Sequence, residues 1–185
     1  QGYVQQRIGF DGWQQNVFEH IDWSSAPVRP LLGPNGERLT LCLTLGGWPL
    51  KIWIWEVRIG RVRLLLMDTN VDGNSPQDRE ISGRLYGGDR TMRLRQEIVL
   101  GIGGVKLLRE LGIPAGVFHA NEGHAAFLLV ERLRESLKSG KSMAEAKEEG
   151  SAGAIFTTHT PVAAGHDVFD ENLVADYFKE YWPSL

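Results

Sequence analysis

The sequence predicts an α/β protein, with an antiparallel β insertion in its first half and a parallel, helix-crossed sheet in its second. Three observations carry that expectation. Apolar residues alternate with polar ones in short runs between residues 38 and 67, broken by glycine turns. From residue 91 on, strand-length apolar runs are interleaved with segments of helical period, in the order helix-β-α-α-β-α. Parallel strands joined by helical crossovers imply a doubly wound sheet. Finally, both predicted strands of that second half end in loops crowded with histidine, hydroxyl, amide and carboxylate groups, which is where open α/β sheets bind their ligands.

Composition sets the bounds. A chain of 185 residues with 42% hydrophobic and 23% charged residues is long enough to bury a real core and has the make-up of a soluble globular protein. A net charge of -3 argues against a nucleic-acid partner, which selects for basic surface. No apolar run approaches the roughly 20 residues of a bilayer span, so no membrane is expected. The N-terminus, Gln1 to Arg7, is unlike a signal peptide. One cysteine, Cys42, cannot form an internal disulfide, which favours a reducing, cytoplasmic compartment. The chain lacks a starting methionine and opens and closes abruptly, as a piece of a longer protein would. Its six tryptophans are read as a heavy β core rather than a ligand-facing surface.

Taken in order, residues 1–36 hold little regular pattern, and Asp22 to Gly36, with Pro27, Pro30 and Pro34, is loop and turn. Leu39, Leu41, Leu43 and Leu45 then share one face of a strand, Lys51 to Val57 alternates again, and Val62 to Met67 closes an antiparallel meander. Asp68 to Gly88 is polar and turn-rich. Its Asp68, Asn70, Asp72 and Asn74 invite a calcium-loop reading, but Gly73 comes one residue late and Arg79 stands where that loop needs glutamate. Thr91 to Leu111 is predicted helical from the spacing of Leu94, Ile98, Ile102, Val105 and Leu108. Gly101, Gly103 and Gly104 lie within it, not in a strand-to-helix turn, so they read as a site of close packing and not as a phosphate loop. Val117 to Ala120 is a short buried strand, and His124 to Leu137 an amphipathic helix. Ser142 to Glu149 is a second helix with Ser142 and Glu145 in capping-box spacing. Ala154 to Phe156 is a buried parallel strand, and Glu171 to Tyr181 a last helix stopped by Pro183. The expected division is 1–90, with the meander at about 38–67, and 91–185.

The two parallel strands should set their loops side by side, bringing His119, Asn121, Glu122 and His124 to the stretch Thr157 to His166. Asn121 has an alternative use as a helix cap, with Glu122 at the positive helix end. A zinc set from His119, Glu122, His124 and a second-loop histidine is the other alternative; a metalloprotease helix is not, because the histidine spacing is wrong. No nucleophile elbow is present. The mixture of donors and acceptors suits a polyol or sugar.

The same residues resemble a known family. Phe118-His-Ala-Asn-Glu-Gly-His-Ala-Ala-Phe127 and Phe156-Thr-Thr-His-Thr-Pro-Val-Ala-Ala-Gly-His-Asp167 are similar to segments of the α-glucan phosphorylases (glycogen, starch and maltodextrin phosphorylases), in their shorter bacterial and archaeal form. Gln1 to Ile8, Asp11 to Gln14, Asp68 to Asn70, Leu85 to Asp89 and Arg93 to Val105 resemble the family in the same order.

The resemblance implies a glycosyltransferase B fold of two Rossmann-like domains, of which this chain would be an internal part of the N-terminal one, antiparallel insertion included. It implies transfer of a terminal glucosyl unit from an α-1,4-glucan or maltooligosaccharide to inorganic phosphate, giving glucose 1-phosphate with retention. Pyridoxal 5'-phosphate would serve as acid through its phosphate. His159 matches the active-site histidine, whose backbone carbonyl faces the developing glucosyl cation and whose ring bonds the sugar 6-hydroxyl. Asn121, Glu122 and His124 match the loop lining the sugar site, flanked by Thr158 and Thr160; the resemblance assigns His166 no role. None of Lys51, Lys106, Lys138, Lys141, Lys147 and Lys179 sits in the motif that carries the cofactor, so the chain by itself is expected to be inactive and to hold neither cofactor nor metal. A non-catalytic glucan-binding module is the alternative reading, and the oligomeric state is open.

Overall fold

The computed structural model describes residues 3–19, 25–83, 88–161 and 167–184 of a mixed α/β chain. The chain divides into two units, one of Gln1–Cys42 with Leu50–Gly87, the other of Leu43–Pro49 with Gly88–Leu185.

The first unit opens with a hairpin the sequence did not announce. Strands β1 (Tyr3–Ile8) and β2 (Gln14–Glu19) pair antiparallel from Tyr3↔Glu19 to Ile8↔Gln14. Their polar residues, Gln5, Gln6 and Arg7 among them, show no apolar alternation, so no buried face marks them as strands. A two-residue strand, β3 (Arg29–Pro30), follows the proline-rich stretch. The expected meander is present as β4 (Thr40–Leu45), β5 (Trp48–Ile59) and β6 (Val62–Asp68), in a sheet ordered β3-β5-β4 with β6 also paired to β5. On β4, Leu41, Leu43 and Leu45 are buried, while Cys42 faces out.

On β5 the inward positions are Leu50, Ile52, Ile54 and Glu56. Full burial of each isoleucine contributes roughly 1.5–3 kcal/mol. Trp53 and Trp55 occupy the alternate positions and Trp48 lies exposed at the start of the strand, so the expectation of a tryptophan core is corrected: no described tryptophan is buried. Trp53 and Trp55 instead flank the guanidinium of Arg38, at 3.9 and 4.0 Å from ring centroid to Cζ. Buried Glu56 accepts from Arg29 Nε at 2.9 Å and Arg63 Nε at 2.6 Å. In the polar stretch after β6, Asp68 Oδ1 accepts from the Asn70 amide and Ser82 Oγ, and Asn74 bonds both backbone groups of Lys51. A short helix, α1 (Pro76–Arg79), is capped there by Ser75.

In the second unit, the expected helix over 91–111 is three pieces. Helix α2 (Arg90–Ile98), capped by Asp89, runs into a π-type turn (Val99–Gly103) and continues as α3 (Gly104–Glu110). Strand β7 (Phe118–Asn121) leads through a 3₁₀ turn (Gly123–Ala125) to α4 (Leu128–Lys138). Helix α5 (Met143–Ala152) has the full capping box predicted from Ser142 and Glu145. Strand β8 (Ala154–Thr157) and helix α6 (Glu171–Phe178) complete the unit. β7 and β8 pair in parallel with Phe118↔Ala154 through Asn121↔Thr157 in register.

Beneath β7, Val105, Phe118, Ala120 and Leu128 form a buried cluster. Arg132 of α4 donates to the carbonyls of Gly150 and Gly153, at 2.9 and 3.1 Å, fixing the end of α5 just before β8 begins. The expectation that β8 is buried is not met: Ile155 and Phe156 are 54% and 56% exposed. Among the described residues β7 is the only strand beside β8, so nothing in this unit closes over its apolar side chains. No helix of the described residues is long and apolar enough to cross a membrane.

Candidate functional site

Parallel pairing in register brings the last residues of β7 and β8 level with each other, and the loops that follow are stitched together. The amide of Glu122 donates to the Thr157 carbonyl at 2.8 Å, one step beyond the ladder. His119 Nε2 lies 2.6 Å from Thr157 Oγ1. From there the chain turns sharply at Glu122, whose φ of 61° and ψ of -176° fall in a region that only glycine enters without strain. It is the one non-glycine residue of positive φ among those described.

That turn swings the Glu122 carboxylate onto the start of the neighbouring loop. Its Oε1 accepts from the His159 amide, from the Thr160 amide at 2.9 Å and from Thr160 Oγ1 at 3.2 Å. Its Oε2 accepts from Thr158 Oγ1 at 3.3 Å. These donors, the His159 amide foremost, hold the carboxyl below the ordinary glutamate range against the opposing effect of burial. Asn121, exposed at the end of β7, completes the junction: its Oδ1 lies 2.7 Å from His159 Nε2. Asn121 therefore does not cap the following helix, and α4, whose N-cap position is Phe127, has no side-chain cap.

Five of the six residues singled out from sequence, Asn121, Glu122, Thr158, His159 and Thr160, thus form one hydrogen-bonded group. The sixth, His124, has other neighbours. Its Nδ1 lies 3.4 Å from Arg93 Nη2 and 3.9 Å from carboxylate oxygens of Glu97 and of Asp167. Arg93 itself donates to Asp167. His166 lies outside the described residues, as do Leu85, Tyr86 and Gly87.

Glu97, His124 and Asp167 each offer one ligand atom within 4.8 Å of the others. A zinc set built on Glu122 does not assemble, since that carboxylate is taken up by the loop. The second cluster already contains its cation, the Arg93 guanidinium, placed against both Asp167 and His124. Glu97 is buried, with Oε1 lacking a hydrogen-bond partner. Burial first, and Asp167 next, push its carboxyl up to about 8, while Arg93 pulls the other way. Asp167 is lowered: burial raises it, but Arg93 first, with Glu97 and His124, together outweigh that.

Arg93 and Glu97 carry no role in the sequence reading. Their signal was a polar pair four residues apart on one face of a helix, the glutamate directly preceding the apolar run Ile98-Val99.

No family model matches the chain. It is 40% identical to a glycogen phosphorylase of Aquifex aeolicus over 178 residues, 96% of this chain and 26% of that protein. Identity to a maltodextrin phosphorylase of Thermococcus litoralis is 43% over 168 residues, 91% of the chain and 20% of the relative. A glycogen phosphorylase of Mycobacterium tuberculosis is 40% identical over 186 residues, covering 97% and 22%. The chain is homologous to a segment of these phosphorylases. It spans about a quarter or less of their length.

Proposed function

We propose that this chain forms the sugar-facing wall of the active site in an α-1,4-glucan phosphorylase, a glycosyltransferase that moves a terminal glucosyl unit to inorganic phosphate and yields glucose 1-phosphate. The observation that carries the reading is the joined loop pair: His159, held through its amide by Glu122 and through its ring by Asn121, in a chain 40% identical to glycogen phosphorylases over nearly all its length. The parallel β7-α4-α5-β8 unit agrees with a Rossmann-like half of a glycosyltransferase B fold, carrying the meander as its antiparallel insertion.

The chemistry of the donor set supports a polyol. Hydroxyls of Thr158 and Thr160, the Asn121 amide and the second nitrogen of His159 offer both donors and acceptors on one exposed rim. In this reading the His159 carbonyl faces the positive charge that develops on the departing glucosyl unit, and its ring receives the 6-hydroxyl; fixed dipoles of that kind are worth about 10²–10³ in rate. His124 stands apart from this group, beside Arg93, Glu97 and Asp167, and enters the reading only through its match to the family's sugar-site loop. Pyridoxal phosphate does not fit this rim, whose hydrogen-bonded groups around His159 include a carboxylate and no lysine or arginine. The cofactor would be held elsewhere in the full-length enzyme, in a cytoplasmic setting.

The test is phosphorolysis of maltodextrin by a full-length phosphorylase carrying this segment. His159→Ala should lower kcat by about 100-fold or more. A variant with activity near wild type removes His159 from the mechanism.

A further inference from the structure

Resting on the phosphorylase reading and deepening it, we infer that Glu122 is a positioning residue: it fixes and polarises the His159–Thr160 peptide and leaves contact with the sugar to its neighbours.

Three observations converge on this. The first is capacity. An ionised carboxylate has about four lone-pair sites, two on each oxygen; the four hydrogen bonds that Glu122 accepts, three shared on Oε1 and one on Oε2, all come from residues 158–160. The side chain is 9% exposed and faces the loop, so little of it is left for a ligand.

The second is the backbone. A residue of φ 61° and ψ -176° is strained unless glycine, and Gly123 stands next to it as the cheaper candidate. The chain holds a glutamate in the strained place, and that place is the one that turns the carboxylate across to β8. Strain of this kind persists where surrounding bonds over-determine it, here the Glu122 amide on Thr157 and the side chain on three successive residues.

The third is connectivity. The Thr160 amide belongs to the same peptide unit as the His159 carbonyl. Donation of that N–H to an anion at 2.9 Å draws electron density toward the carbonyl oxygen, because hydrogen bonds through one peptide reinforce each other. The His159 amide, bonded to the same Oε1, locks the preceding peptide, so the carbonyl cannot swing away. A negative charge set behind the loop thus reaches the substrate side as a fixed, enriched carbonyl dipole.

The experiment uses a full-length phosphorylase carrying this segment, with Glu122→Ala and Glu122→Gln. Glutamine keeps an acceptor on the loop and removes the charge. Steady-state phosphorolysis should show kcat lowered about 100-fold by Ala and about 10-fold by Gln, with the glucan KM within about 3-fold of wild type in both. Deuterium exchange of peptides spanning His159 and Thr160 should quicken in Glu122→Ala and stay slow in Glu122→Gln. A KM that rises while kcat holds would make Glu122 a sugar ligand and overturn the inference. So would unchanged exchange at the two amides in Glu122→Ala. If the alanine variant does not fold, the glutamine variant decides: a 10-fold fall in kcat at constant KM supports the role, and wild-type kcat overturns the polarising part of it. Exchange is read without turnover. A wild-type enzyme inactive on glucan, with exchange that responds to Glu122→Ala, sinks the phosphorylase reading and keeps the loop anchor.

Discussion

His159 Nε2 and the side-chain oxygen of Asn121 meet at 2.7 Å, joining two residues 38 apart in sequence at the ends of the parallel strands β7 and β8. With the amide oxygen accepting, the neutral imidazole donates its Nε2–H to Asn121 and keeps Nδ1 as an acceptor. Without that bond the ring would be free to rotate and to change tautomer, and a sugar hydroxyl would no longer meet a fixed acceptor.

The first prediction is therefore a coupled pair. Asn121→Ala in the full-length enzyme should lower kcat/KM by about 10-fold, against about 100-fold for His159→Ala. In the double variant the Asn121 change should cost less than about 2-fold more, since residues acting as a unit are not additive. Kinetics of the four proteins supply the cycle. Additive losses would mean that Asn121 meets the substrate independently of His159.

The second prediction separates two glycines of one sequence motif. A Cβ on Gly101 would lie 2.7 Å from the Leu128 amide nitrogen and 2.9 Å from the Phe127 carbonyl carbon, both backbone atoms at the start of α4. Gly104 has nothing within 4 Å. Gly101→Ala should destabilise by about 1–3 kcal/mol through forced backbone movement. Gly104→Ala should be neutral or stabilise by up to about 1 kcal/mol, because alanine is the better helix former. Denaturant midpoints of the two variants decide, and equal effects would show that α4 does not press on Gly101.

How far the sequence carried these conclusions can be read from the same residues. The packing role of the glycine motif was legible at Gly101, where the helix spacing of Leu94, Ile98 and Ile102 placed it on an inward face; its π-type turn was not, since no local propensity marks it. The meander declared itself through Leu41, Leu43 and Leu45. The β1–β2 hairpin stayed hidden because Gln5, Gln6 and Arg7 need no buried face to pair. That Asn121, Glu122 and His159 come together was legible because two parallel strands set their end loops side by side. What no spacing rule shows is a backbone angle, so the inward turn of the Glu122 carboxylate and the departure of His124 toward Arg93 required the fold.

A third prediction concerns Glu56 in the first unit. Hydrogen bonding from Arg29 first, and from Arg63 next, holds its carboxyl down at about 2, against the opposing effect of burial. A folded-state value below the unfolded one means stability that is present above the ordinary glutamate range and lost as pH falls through it toward 2. Relative to Glu56→Gln, the wild type should melt at least about 2 °C higher at pH 7, with the gap closing by about pH 2–3. Thermal melts of both proteins across that range test it. A gap that widens with acid would place the Glu56 charge outside the stabilising network.

Glu97 should behave with the opposite sign. Burial, with Asp167 beside it, raises its carboxyl to about 8, while Arg93 and the imidazole of His124 are the other charged or titratable groups facing it. An unfolded glutamate loses its proton near 4.3. Between that value and about 8 the folded chain binds the proton more tightly than the unfolded one, so stability is highest at the acid end of the window and declines as pH rises through it. Glu97→Gln copies the neutral form and cannot titrate. Its melting temperature should match the wild type near pH 4 and exceed it by at least about 2 °C at pH 8.5. The partners bear on direction as well: Asp167 is lowered by the same Arg93 that opposes the rise in Glu97, so one carboxyl of the pair stays charged and the other neutral at pH 7. Were both ionised, two carboxylates would share one guanidinium, and the variant would be the more stable protein by a constant margin from pH 5 to 9. A flat difference in that range would therefore assign the proton away from Glu97, and a difference that grows with pH assigns it there.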